Sequence, residues 1–510
     1  MNEIFFDPKF FMGELSLLAL IVVLALVDAF QRPIFVFFGR ENDYPGLEIR
    51  NRQASWIAGI GLIAVAVVFA VYGQKTAGQQ VVLFNQALKA GGGAFIGKIA
   101  LLVAAILTVL LSARYTLYQS IPAMDYYLLL CFSLFGALTL IAAENFLMIF
   151  ISLEMMSIPI YALVGLKRFS PRAGESAVKY LLLGGFSSGF LMMGISLLYG
   201  TTGTLNVLGV VARLSEVTGS ASTFLTGLGL LFVFIGLAFK VSMVPFHAWT
   251  PDVYEGSATP ITAFMSVAVK LAAFAVILKI FAGLENLGKF DTAFGNIFMF
   301  FSLLTVIYGN SVALVQKNVK RMLAYSSIAH AGYMGLALAP MLHKVQSVAA
   351  VLFYGIGYIA MNMLAFGVLV YLTHKGKYCE TLDDLRGVAR KYPGAAAMMT
   401  IAMFSLAGIP PAVGFVGKVQ IFMQLLEGKM FVTAVIALIF SLVALYYYIN
   451  VLVVMYMSEP EKKIEDIGKK EIAPVWIALG FSAIFTVVMG ILPSALFNWS
   501  LKWAEILFRA

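Results

Sequence analysis

Leu237-Ala-Phe-Lys240-Val-Ser-Met-Val-Pro245-Phe-His247-Ala-Trp-Thr-Pro251-Asp252 sets a lysine in an apolar helix five residues ahead of a proline. An ammonium at bilayer depth costs about 2.5–3.5 kcal/mol on insertion scales. A proline at that depth frees backbone carbonyls that must find other partners. The stretch therefore reads as a broken membrane helix beside an ion or proton path.

The rest of the chain has the same character. Of its 510 residues, 61% are hydrophobic and 12% are charged, whereas soluble proteins carry about 25% charged residues. This is the composition of a polytopic membrane protein. Windows of about 20 apolar residues, enough to cross roughly 30 Å of hydrocarbon, can be laid down about fourteen times, from 14–30 to 475–497. Residues 1–13 have no basic n-region and no small-residue cleavage site, so the first apolar run reads as a retained span. An even number of spans puts both termini on one side. Arg40, Arg50, Arg52, Lys167, Arg168, Lys320, Arg321, Arg390, Lys462 and Lys463 all follow odd-numbered spans. The positive-inside rule then places both termini on the outer side of the cell inner (plasma) membrane. The net charge of +9 is explained by these loops, and no nucleic-acid partner is expected.

A second interruption lies in Gly408-Ile-Pro410-Pro411-Ala-Val-Gly414, again with a lysine nearby, Lys418. The two broken spans are the seventh and the twelfth, which predicts two five-helix repeats, the second inverted because five is odd. Inverted repeats with discontinuous helices are a recurrent transporter architecture. The expected fold is an all-α polytopic membrane protein of about fourteen transmembrane helices. Residues 1–120 hold the first three helices, 121–285 the first repeat, 290–457 the inverted repeat, and 458–510 a loop and the last transmembrane helix.

Glu144, Glu154, Lys179, Lys240, His247, Lys270, His330 and Lys418 fall within or at the ends of these spans. Buried charges are paired or line hydrated cavities, and alternating acids and lysines can pass a proton through water. Moving one charge against about 200 mV needs about 4.6 kcal/mol, within what desolvation and a change of partner do to a buried lysine or glutamate. Each residue also has a plainer reading. Lys179 is close enough to the start of its span to snorkel, Glu144 sits at a span boundary, and His247 fits a helix end as well as a relay.

Other chemistries find little support. Gly92-Gly-Ala-Phe-Ile-Gly97-Lys98-Ile99 nearly spells a phosphate loop, but Ile99 stands where Ser or Thr would hold magnesium. Cys131 and Cys379 are the only cysteines and imply neither a bridge nor a metal site. No pair of intramembrane histidines has heme spacing, so the chain is expected to carry no redox cofactor or metal of its own.

Several stretches together resemble the antiporter-like subunits of respiratory complex I, the proton-pumping NADH-quinone oxidoreductase. They are Leu153-Glu154-Met-Met-Ser-Ile-Pro-Ile-Tyr, Glu175-Ser-Ala-Val-Lys179-Tyr, Phe239-Lys240 through Gly256, Asn318-Val-Lys-Arg-Met-Leu-Ala-Tyr-Ser-Ser-Ile-Ala-His330, and Leu406 through Lys418. Trp249-Thr-Pro-Asp-Val-Tyr-Glu255 is similar to the N-type branch and differs from the L and M types, and Lys418 is similar to the N type where the M type carries a glutamate. Ser257-Ala-Thr-Pro260 departs from the usual Ala-Pro-x-Pro at a helix entry, away from any titratable group.

The resemblance implies that Glu154 and Lys240 form a coupling pair with Lys179 nearby. Lys270 would be the central relay lysine, His330 a linking residue and Lys418 the end of the second half-channel. It further implies one proton channel of a redox-driven translocase. NAD, FMN, iron-sulfur clusters and quinone would be held by partner subunits, and a homologous antiporter-like subunit and lipids would lie alongside in the membrane. The alternative is a subunit of a multi-subunit sodium/proton antiporter, in which a cation gradient replaces redox energy.

Overall fold

The computed structural model describes residues 2–4, 7–37, 47–76, 79, 81–91, 94–119, 121–167, 170–214, 219–283, 289–338, 345–373, 379–460 and 472–508. Arg40, Arg168, Lys462, Lys463, Gly92 and Gly93 lie outside the described residues, as do parts of the loops at 374–394 and 458–472.

The chain begins with β1 (Asn2–Ile4), α1 (Pro8–Phe37), α2 (Leu47–Thr76), β2 (Val81–Leu83), β3 (Leu88–Ala90) and α3 (Ala94–Tyr118). There follow α4 (Ala123–Ala142), α5 (Phe146–Val164), α6 (Pro171–Thr202), α7 (Val207–Leu214), α8 (Ser220–Lys240), α9 (Trp249–Gly256) and α10 (Thr259–Gly283). The second half comprises α11 (Lys289–Ala313), α12 (Val319–Leu338), α13 (Val345–Leu372), α14 (Val388–Lys391), α15 (Pro393–Ala407), α16 (Val413–Glu427), α17 (Phe431–Met457), α18 (Ala473–Ile491) and α19 (Ser494–Phe508).

Twelve helices among the described residues are long and apolar enough to cross a membrane. The other two expected spans fall on α12 and on the α15–α16 pair, which are not among those twelve, α15 being a shorter apolar helix. Local signals fix the ends of several. The Asn145 side chain accepts from Met148 N to start α5. Ser170 and Pro171 open α6, which Gly203 closes in the left-handed region. Helices α10 and α13 are buried throughout their apolar windows and form the axis of the bundle. Phe186, Val432 and Ile484 are largely exposed on the periphery, as suits side chains that meet lipid tails.

Both breaks are present. Helix α8 stops at Lys240, and α9 resumes at Trp249 after a turn that contains Pro245. The freed groups are satisfied locally: Trp249 Nε1 donates to Phe239 O, Val244 N donates to Thr305 Oγ1, and the Thr250 hydroxyl donates to Ser242. Helix α15 stops at Ala407, and α16 starts after Pro410 and Pro411. There Lys418 Nζ itself donates to Ala407 O at 2.9 Å.

Some features were not foreseen. A small sheet in the order β1-β2-β3 is parallel between β1 and β2 and antiparallel between β2 and β3. A helix beyond the last span, α19, buries Leu496, Trp503 and Ala504. Lys320, read from sequence as a loop charge, is wholly buried, because its ammonium donates to Glu255 O, Ser257 O and the Glu380 carboxylate. In the adjoining loop, burial pushes the Lys167 ammonium down to about 8, with Glu380 opposing part of that shift.

Candidate proton relay

Helix α5 repeats a polar face at Glu154, Ser157 and Tyr161, the i, i+3, i+7 spacing of one helical side. This face meets Lys240, which ends α8 and is 1% exposed. Lys240 Nζ donates to Ser157 Oγ at 2.9 Å and Tyr161 Oη at 3.1 Å. It stands 3.9 Å from Glu154 Oε1. Ser188 of α6 donates to that same oxygen at 2.5 Å. Two hydroxyls thus surround the lysine, and the carboxylate stands just outside direct bonding range.

Lys270, on the axial helix α10, donates to both the hydroxyl and the carbonyl of Ser327 on α12. One turn further along α12, His330 is held between two phenols, Nδ1 at 2.5 Å from Tyr354 Oη and Nε2 at 3.1 Å from Tyr448 Oη. Tyr448 also bonds Ser326. The ring of Tyr447 stacks obliquely on Tyr448, and its hydroxyl donates to Asn310, which in turn reaches Tyr333. Lys418 lies 5.1 Å from the centre of the Tyr333 ring and donates to Ser441 Oγ at 3.0 Å. Hydroxyls and aromatic rings therefore run from Lys270 through α12 and α17 to Lys418. The hydroxyls and the imidazole can donate and accept in turn, whereas Lys418 meets Tyr333 at the face of its ring.

Two of the expected residues lie apart from this array. The Lys179 side chain is 42% exposed and pairs with Glu175 at 2.6 Å and Asp252 at 2.8 Å. Asp252 and Glu255 both bind Arg321, and Glu255 also binds Arg172, making an ionic network around α9. A stack joins the two regions: the Tyr180 ring lies parallel to Trp249 at 4.3 Å and edge-on to Tyr161. His247 packs edge-on against Tyr308, and its Nδ1 is buried without a hydrogen-bond partner. Pro245, Pro410 and Pro411 stand at the breaks, and both Val244–Pro245 and Pro410–Pro411 are cis.

Sequence reasoning missed Ser157, Tyr161, Ser188, Ser326, Ser327, Tyr354, Tyr448 and Ser441. Ser157 and Tyr161 share a helical face with Glu154, and Ser326 and Ser327 lie one turn from His330, but neutral hydroxyls carry no insertion cost that would single them out, and the others come from α6, α13 and α17. The near phosphate loop resolves differently: Lys98 makes a buried ion pair with Glu14 at 2.5 Å. Cys131 and Cys379 are free thiols. Among the described residues, no group of three His, Cys, Asp or Glu is placed to hold a metal.

Broken helices, each with a buried lysine at the break, and a polar line between them define an antiporter-like, ion-translocating membrane subunit. Residues 143–445 match the family described as NADH:quinone oxidoreductase/Mrp antiporter, TM, and the chain belongs to that family. It is 39% identical over 459 residues to NADH-quinone oxidoreductase subunit N 1 of Solibacter usitatus, covering 89% of this chain and 91% of the relative. A chain of respiratory complex I from Thermus thermophilus superposes with a TM-score of 0.76 at 29% identity, over 96% of this chain and all of that one. A chain of the Mrp complex from Dietzia shares the fold, with a TM-score of 0.79 at 18% identity over 98% and 97% of the two chains.

Proposed function

We propose that this chain is an N-type, membrane-arm subunit of a redox-driven NADH-quinone oxidoreductase and carries one of its proton channels. The observation that carries the reading is the Lys240–Glu154 pair at the first break, followed by the polar line from Lys270 through His330 to Lys418. In this reading Lys179 exchanges protons at the mouth, and Glu154 and Lys240 couple the channel to the rest of the complex. Lys270 and His330 carry the proton across the axis, and Lys418 passes it on. His247 is retained as a peripheral relay group. Residues 121–285 and 290–457 act as two inverted units, and both termini face outward from the plasma membrane. Electron transfer through NAD, FMN, iron-sulfur clusters and quinone belongs to partner subunits.

The family takes in both kinds of subunit, and the names of the curated relatives support this reading over a sodium/proton antiporter, since the likeness to the Mrp complex chain, at 18% identity, is one of fold alone. The test is NADH-driven proton pumping and quinone reduction in vesicles carrying Lys240→Ala, with assembly measured separately. Loss of both activities in an assembled complex is expected. Parental pumping would overturn the role of Lys240, and pumping indifferent to NADH in the parent would favour the antiporter.

A further inference from the structure

A second cluster of buried charge, outside the relay, lies at the end of the bundle that carries β1–β3 and α19. Lys279 donates to Glu144 Oε1 at 2.8 Å and also to Ala143 O. Lys89 of β3, 7% exposed, lines the same cavity of about 30 Å³, which Trp503 and Leu507 of α19 close. About 10–15 Å³ suffices for one water, so one or two fit beside the three charges. Two ammonium groups here face one carboxylate. The Glu144–Lys279 hydrogen bond balances one cation, and among the described residues no second carboxylate lines the cavity to balance Lys89.

Among the described residues, the other charged groups near this end are Glu3 of β1, which the register Glu3–Val82–Lys89 sets two strands from Lys89, the Glu14–Lys98 pair in an adjoining cavity, which shares Gly91 as a wall, and Lys9 beside that pair. Lys502 and Glu505 of α19 lie on its exposed side. Among the described residues, none of these lines the cavity of Lys89 with an unshared carboxylate. Burial lowers the proton affinity of Lys89 below that of an ordinary lysine, Lys279 adds to the lowering, and Glu144 opposes it. The cluster is also aligned with the relay. Lys279 follows Lys270 by nine residues on the same helix, about 13.5 Å at 1.5 Å per residue. Glu144 precedes Glu154 by ten across the start of α5. At the intervening depths of α4, which packs on α10, stand the buried hydroxyls of Ser133 and Thr139.

We propose that Lys89, held over the Glu144–Lys279 pair under α19, is the proton-release group of this channel at the face that carries both termini. The ammonium of Lys89 gives its proton to cavity water, and the amine is recharged from the relay side. This rests on the reading of the chain as a proton channel with its termini outward.

The test uses the intact complex in membrane vesicles and reads protons pumped per electron. Lys89→Arg keeps the charge and much of the bulk but cannot deprotonate, whereas Lys89→Gln is permanently neutral. Both are expected to lower the ratio, Arg no less than Gln. An electrostatic or packing role would be rescued by Arg, so a parental ratio in Lys89→Arg overturns the proposal. Should either variant fail to assemble, competitive acylation of Lys89 in the unaltered complex decides. Half-maximal labelling is expected below the ordinary lysine value of about 10.4, and labelling at or above that value, or none, overturns the assignment. Lys240→Ala in the same vesicles separates the two readings. A parental ratio there removes the relay itself, whereas lost pumping there with a normal Lys89→Arg removes the release site alone.

Discussion

Lys240 Nζ stands 3.9 Å from Glu154 Oε1 without a hydrogen bond between them, while its donors go to Ser157 and Tyr161. The pair attracts without being locked. At about 4 Å, two unit charges interact by about 4 kcal/mol at an effective dielectric constant of about 20. That is of the order needed to move a proton against the membrane potential. A small displacement of α6, whose Ser188 holds the Glu154 carboxylate, would change this interaction while Ser157 and Tyr161 of α5 kept Lys240 solvated. The 23% exposure of the Glu154 side chain leaves it open to such a displacement from the lipid or partner side.

Glu154→Gln keeps the shape and an acceptor for Ser188 but removes the charge. Assembly is expected to be normal and NADH-driven pumping to fall at least about tenfold, the equivalent of 1.4 kcal/mol. Ser188→Ala, which removes one hydrogen bond to the carboxylate, should cost less, because the charge and its attraction for Lys240 remain and water can replace the lost hydrogen bond. Equal pumping in Glu154→Gln and the parent would remove the pair from the coupling step.

The pair was legible because charges in apolar helices announce themselves. Pro245 and Pro410-Pro411 placed the breaks for the same kind of reason, since a proline within a span must disturb its hydrogen bonds. The wires between the lysines were not legible: Ser327, Tyr354 and Tyr448 look like ordinary residues of apolar helices until the fold brings α12, α13 and α17 together. The small sheet was too short to register, with three residues per strand. Helix α19 was hidden because its apolar residues adjoin those of the last span. Glu144 reads from sequence as a span-boundary residue, and nothing there points to its partner Lys279, because a separation of 135 residues gives no sign of contact.

His330 is fixed by a phenol on each ring nitrogen, so one contact must accept a hydrogen and the other must donate one in the neutral ring. Tyr448→Phe removes one contact and also strands the hydroxyl of Ser326. A lost neutral hydrogen bond contributes about 0.5–1.5 kcal/mol, so pumping should slow by roughly two- to tenfold in an assembled complex. Rates measured for Tyr448→Phe and Tyr354→Phe against the parent decide the matter. Parental rates in both would make the phenols packing groups.

Gly408 ends α15 at φ +87°, in the left-handed region. A Cβ there would meet Lys418 Cδ at 2.9 Å. Gly408→Ala therefore strains the backbone by about 1–2 kcal/mol and pushes on the relay lysine. The expected result is a lower melting temperature of the complex together with reduced pumping. Gly480→Ala, whose Cβ would have nothing within 4 Å, serves as the comparison. If both variants behave alike, the close approach of Gly408 to Lys418 has no functional weight.

Lys179 tests whether exposure sets the size of an effect. Its ammonium is shared between Glu175 and Asp252, and Asp252 keeps Arg321 as a second cation when Lys179 is removed. Exposed ion pairs contribute about 0.2–1 kcal/mol, and water reaches the site, so a neutral side chain there leaves no buried charge uncompensated. Lys179→Met should consequently slow pumping by no more than about fivefold, with assembly intact. Lys240→Met removes the only ammonium facing Glu154 among the described residues, and it should cost far more. Proton pumping of the two variants in parallel discriminates the roles. Equal and near-complete loss would mean that Lys179 is an obligatory carrier, despite its distance from the buried array, and that the mouth of the channel rather than its interior limits the rate.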